Sequence, residues 1–133
     1  MSSVYRKISA VLAFIIGAMA IFAGGQVLLG KVMDYYVIDW LPIYNFIAGL
    51  ISSLITAILV WKGSKYALPA AIGTFASHGI VILVLQSAYR DLVASDSIKA
   101  MTVRLVVWVI ILTLMIVQVQ RDKKISKLAA SNP

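Results

Sequence analysis

Apolar and polar positions are segregated along this chain. Four long stretches, about 8–30, 42–61, 67–89 and 100–120, consist almost entirely of aliphatic, aromatic and small residues, and most charged residues fall in the breaks between them. Each stretch approaches or exceeds the ~20 residues with which a helix crosses ~30 Å of hydrocarbon. Lipid offers no partner to an open backbone amide or carbonyl, so helices are the expected form. The pattern predicts an all-α, integral membrane four-helix bundle: a single transmembrane domain over 1–133, ending in a basic tail at 121–133.

The breaks are short, which predicts sequential neighbours packed antiparallel. In 31–41, Val32, Met33, Tyr36, Val37 and Trp40 fall near helical spacing. That spacing predicts a short helix lying in the membrane interface, with aromatics at headgroup level. A tight turn is expected at 62–66, with Pro69 in the first turn of the third helix. Ser95 or Ser97 is expected to cap the fourth helix. The tail turns from basic to small and polar, and a loose end is expected there.

Composition supports the membrane reading. Charged residues make up 13% of the chain and hydrophobic ones 62%, where a soluble domain carries roughly 25% charged. The surplus apolar surface must face lipid. The net charge of +7 does not imply nucleic acid, because the basic residues sit at the ends of apolar segments, where they direct topology. Arg6, Lys7, Lys62, Lys65, Arg121, Lys123, Lys124 and Lys127 share one side, against Lys31, Arg90, Lys99 and Arg104 on the other. The positive-inside bias therefore places both termini in the cytoplasm, of a bacterial cell most simply. Asp34, Asp39, Asp91 and Asp96 leave the far face nearly neutral.

The first stretch admits a second reading. Arg6, Lys7, an apolar run and Ala18-Met19-Ala20 have the layout of a signal peptide and its cleavage site. The apolar run continues to Gly30, which fits a retained span. Cleavage would leave three spans in the same orientation.

Small residues predict how the helices meet. Ala10, Ala13, Gly17, Ala20 and Gly24 follow steps of three and four along one face of the first helix. The second helix carries Asn45, Gly49, Ser52 and Thr56, and the third Ala70, Gly73 or Thr74, and Ser77. Such stripes let helix backbones approach closely in lipid, and these faces are expected to form the interior. Trp40, Trp61 and Trp108 are expected to act as anchors or packing residues.

Strongly polar side chains gather near the outer half of the predicted bundle: Gln26, Asn45, Gln86, Tyr89 and Arg104. The inner half shows only hydroxyls such as Ser9, Thr56 and Thr113. An outward-opening polar vestibule follows. His78, the only histidine, lies near the middle of the third helix beside Ser77. An ionisable residue at that depth is costly and is a functional candidate by default. A neutral imidazole could bind a quinone carbonyl, relay a proton or take a metal; the plainer alternative is a hydrogen bond to a hydroxyl or amide on a neighbouring helix. Arg104 could snorkel, pair with Asp91 or Asp96, or present a fixed positive charge to an anion or headgroup.

Phe22-Ala23-Gly24-Gly25 closing the first helix, Asn45-Phe46-Ile47-Ala48-Gly49 opening the second and Ala100-Met101-Thr102-Val103-Arg104 opening the fourth resemble small bacterial four-helix membrane proteins of DoxX-like layout. The resemblance spans most of the chain and implies a four-helix bundle.

Chemistry is sparse. The chain has no cysteine, which excludes disulfides, thiolate metal sites and thiol nucleophiles within it. It also lacks glutamate, a glycine-rich phosphate loop, a metal-binding helix motif and any acid placed to orient His78 in a triad. A non-enzyme is the simpler reading. First comes a membrane accessory or interaction protein, with a membrane-protein partner or as a homo-oligomer. Next is a small-molecule binder or transporter using the vestibule, with His78, Arg104, Asn45, Gln26 and Gln86 as contacts. Quinone-linked redox chemistry at His78 comes third. No cofactor is identified by these residues.

Overall fold

The computed structural model describes residues 3–131. Among them it is all-helical, with four helices: α1 (Val4–Leu28), α2 (Leu41–Lys62), α3 (Ala67–Ser87) and α4 (Ser95–Ser131). All four are long and apolar enough to cross a membrane. α1 packs against α2 and α4, α4 also packs against α3, and α2 meets α3 only sparsely.

Glycines close two of the helices. Gly30 and Gly63 take positive φ, 106° and 68°, a region that costs glycine nothing. After α2, Ser64 N–H donates to Leu59 O at 3.0 Å and Gly63 N–H to Val60 O at 3.1 Å. Lys31 and Gly30 repeat that pattern onto Gln26 and Val27 after α1. These paired bonds satisfy the orphan carbonyls of a helix end and reverse the chain sharply.

Three expectations fail at the edges. The segment 31–40 is not an interfacial helix. Gly30 has already broken the helical path, and Ile38 is drawn into the bundle end, 3% exposed, against Leu41, Leu85 and Met101. Trp40 stacks edge-on against Tyr89 with ring centroids 5.7 Å apart. Burying these side chains outweighs a local helical spacing that offers only a surface stripe. Neither Ser95 nor Ser97 stands before α4; Ser95 is its first residue, and Ala94 O accepts the Ser97 and Ile98 amides. The fourth helix does not stop near 120, because α4 runs on to Ser131 through 37 residues, about 55 Å at ~1.5 Å per residue, and the end of the tail, where a loose end is expected, lies outside the described residues.

The small-residue stripe of α1 is buried throughout, from Ala10 to Gly24. A Cβ on Gly17 would stand 2.6 Å from Ser53 N and 2.8 Å from Gly49 O, and one on Gly49 2.6 Å from Gly17 O. Facing α2, Ser52 Oγ donates to Ala13 O at 2.8 Å. Residues Ile51–Thr56 of α2 form a π-helical turn, which puts Ser52, Ser53 and Thr56 together on the inner side. Such turns inside helices often mark functional regions.

On α3 the expected face turns inward through Thr74, the alternative to Gly73, with Ala70 and Ser77 half-buried. Ala67, Ala71, Thr74, His78 and Leu85 are its buried residues, whereas Gly73 is exposed with open space where a Cβ would be. The aromatic anchors also divide. Lys7 Nζ lies 5.6 Å from the ring centre of half-exposed Trp61, while Trp108 is fully buried against Ala10, Ala13 and Ile111.

Besides its apolar core, the bundle buries polar side chains and leaves large apolar ones outside. His78, Arg104, Gln118 and several hydroxyls are inside, while Phe14, Ile51, Leu54, Ile80, Leu83 and Val106 are exposed along the shaft. Charged side chains are almost never fully buried in ordinary domains.

Candidate functional site

Two buried polar clusters flank α2. Tyr44 and Asn45 are adjacent there, so their side chains leave the helix about 100° apart. They reach different neighbours.

Tyr44 faces α3. Its hydroxyl is hydrogen-bonded to His78 Nδ1 at 2.8 Å and to Ser77 Oγ at 3.1 Å, and the two rings meet edge-on at 5.7 Å. Ser77 Oγ in turn donates to Thr74 O at 2.8 Å. His78 is 2% exposed. A buried imidazole with a phenol and a serine beside it makes a compact network in which each hydroxyl has a partner. Behind it, Thr56 Oγ1 and Thr74 Oγ1 stand 3.5 Å apart.

Asn45 faces α4. Arg104 donates from Nη1 to Asn45 Oδ1 and to Met101 Sδ, the latter at 3.4 Å. Arg104 is 5% exposed, so it does not snorkel. It pairs with neither Asp91 nor Asp96, and no carboxylate forms an ion pair with it among the described residues. A guanidinium in this position is held by a neutral amide and a thioether alone.

Arg104 lines a cavity of about 70 Å³ at the end of the bundle away from the chain termini. Gln26 and Asn45 share the wall, with Met101 beneath and Tyr35, Asp96 and Ser97 toward the mouth. Lys31 Nζ donates to Gln26 Oε1 at 3.1 Å. Burial, then the Asp96 carboxylate, then that of Asp34, holds the Tyr35 phenol above its usual range. At the mouth, the Asp96 carboxylate lines the cavity and the Lys31 ammonium stands against Gln26.

The expected vestibule residues separate into three groups. Gln26, Asn45 and Arg104 come together around the cavity. His78 stands apart in the Tyr44 network. Gln86 is exposed on α3 and belongs to neither cluster. The opposite end is also less bare than expected, because Gln118 is buried and bonds Asp122 at 2.9 Å, near a cavity of about 120 Å³ lined by Arg6 and Gly63. Tyr44 and Met101 are the contributors that residue type did not single out. Tyr44 carried a usable signal, since a phenol inside a span must find a hydrogen-bond partner.

Among the described residues, no group of three metal-ligating side chains converges. Comparison of the chain with family models, curated proteins and solved structures found no match, so the site is read from its own residues.

Proposed function

We propose that this chain is an integral membrane protein, both termini cytoplasmic, that binds a small polar ligand in the cavity at the outer end of the bundle. Arg104 is its anchor. The observation that carries this reading is a buried guanidinium with no carboxylate partner among the described residues, lining a cavity between α1, α2 and α4. Burying an unpaired charge costs several kcal/mol. A site built that way gains most from a ligand that supplies the missing counter-charge. The placement of eight Lys and Arg residues near the termini side supports the orientation.

Because the chain lacks cysteine, single cysteines report topology without background. Asp34→Cys should react with an impermeant thiol reagent in intact cells, and Ser64→Cys only after permeabilisation; the reverse pattern would invert the orientation. For the ligand, the test is mass spectrometry of the intact protein released gently from native-like lipid. A bound small molecule or headgroup is expected in the wild type and absent in Arg104→Met. A wild-type protein without any adduct, whose melting temperature no small polar molecule raises, would overturn the reading.

A second reading, an accessory subunit of a larger membrane complex, draws support from α3. Gly73 and Gly79 have open space where a Cβ would be, and a groove of about 350 Å³ separates α2 from α3. Glycine on an open face lets another helix approach closely. The same spectrum separates the two readings: a partner at fixed stoichiometry, lost in Gly73→Leu, favours this one.

A further inference from the structure

Resting on the proposed ligand-binding role, the charges around the Arg104 cavity narrow the ligand to a chemical class. The inner wall presents donors. Asn45 Oδ1 already accepts from Arg104, which leaves the Asn45 amide N–H groups for a ligand. Gln26 Oε1 accepts from Lys31 at 3.1 Å and is left in the same state. Arg104 has only Nη1 engaged, so the rest of its guanidinium has no protein acceptor among the described residues. The unmatched guanidinium nitrogens of buried Arg104, with the Asn45 and Gln26 amides lining the same cavity, suit an anionic oxygen group.

The mouth presents the opposite charge. Asp96 lines the same cavity from the first turn of α4 and is exposed, and it forms no ion pair with Arg104 or Lys31. Asp34 adds a second carboxylate near Tyr35. Lys31, bound to Gln26, offsets part of this negative charge; a simple anion at Arg104 would still leave Asp96 without a counter-charge, and a simple cation at Asp96 would leave Arg104 without one. The cavity, at about 70 Å³, has room for roughly five waters at ~10–15 Å³ each. It suits a head of a few heavy atoms, not a drug-sized molecule.

We infer that the cavity binds a zwitterion: a phosphate or carboxylate at Arg104, Asn45 and Gln26, joined by a short carbon bridge to a primary ammonium at Asp96. That chemistry occurs in an ethanolamine phospholipid headgroup and in soluble phosphoethanolamine.

The experiment uses the full chain in lipid nanodiscs, as wild type, Asp96→Asn, Arg104→Lys and Arg104→Met, each checked for helix content and homogeneity. One arm counts phosphatidylethanolamine against phosphatidylglycerol of the same acyl chains retained in native mass spectra. The other follows melting temperature with phosphoethanolamine against glycerol phosphate. Wild type should prefer the zwitterion by about fivefold, the ratio that ~1 kcal/mol from one exposed charge pair provides. Asp96→Asn should abolish that preference, and Arg104→Met should lose both probes. Preference in the lipid arm alone identifies a headgroup, and preference in the soluble arm identifies a free molecule. If wild type takes the anionic probe equally well or better, or Asp96→Asn keeps the preference, the zwitterion inference is overturned while ligand binding at Arg104 stands. If no probe binds in an Arg104-dependent way, both fall. Should Arg104→Met not fold, Arg104→Lys, which keeps the charge but not the planar fork, and Asp96→Asn carry the test.

Discussion

His78 and Arg104 are both ionisable residues buried in spans, and α2 serves each through one of two adjacent side chains. On the His78 side the ring is held through Nδ1 by the Tyr44 hydroxyl, which also meets Ser77, and Ser77 donates to Thr74 O. The Arg104 side is incomplete, since Asn45 and Met101 engage one nitrogen and no acid answers the charge. Burial groups the two residues, and the partners they meet separate them: a hydroxyl network for His78, an amide and a thioether for Arg104.

The largest effect should fall on the incomplete side. Arg104→Met is expected to remove ligand retention by about 2–5 kcal/mol, the usual cost of losing one partner of a buried hydrogen-bonded charge. Its unliganded stability should change by no more than ~1 kcal/mol, because a buried charge leaves along with its bonds. Isothermal binding and thermal melts in the same nanodiscs check both; a large loss of unliganded stability would make Arg104 a structural residue.

Gly24→Val should come next and act on one cluster only. A Cβ at Gly24 would strike Pro42 O and stand 3.1 Å from Asn45 Cβ, so α2 must shift where it carries the Arg104 partner. Overpacking of this kind costs about 1–3 kcal/mol. Ligand binding should weaken while the Tyr44–His78 contact persists, as seen by histidine chemical shifts.

Tyr44→Phe sharpens the other half. It removes the phenol from His78 and Ser77, and polar contacts between membrane helices are worth about 0.6–1.7 kcal/mol. The expected result is a lower melting temperature with unchanged affinity at the cavity. Loss of affinity would join the two clusters into one site. Gln86→Ala, exposed on α3, should alter stability by less than ~0.5 kcal/mol and leave binding intact.

Much of the packing is legible in the order of residues alone. The α1 stripe from Ala10 to Gly24 can be read because close approach in lipid admits only small residues, and all of it is buried. Asn45 and Arg104 stand out separately, since strong polarity inside a span is rare enough to be noticed. Their pairing is not legible, because it depends on how far α4 is rotated against α2. Gln86 misleads for the same reason: its depth along α3 follows from position, its direction around the axis does not. Tyr44 is hidden by its aromatic ring, which counts as apolar in any hydropathy pattern while its hydroxyl completes the His78 network.

The amino-acid sequence by itself determined four long apolar segments, their helical form and which positions within them are polar. The helical form follows from a single requirement, that backbone groups in an apolar stretch bond within their own segment. Only the tertiary structure decided that Thr74 and not Gly73 faces inward on α3, the π-helical turn that brings Ser52, Ser53 and Thr56 inside, the collapse of 31–40 onto the bundle end and the convergence of Gln26, Asn45 and Arg104 on one cavity. These depend on side-chain fit between helices distant in sequence, where alternatives one residue apart have nearly the same hydropathy and differ only in how closely they pack.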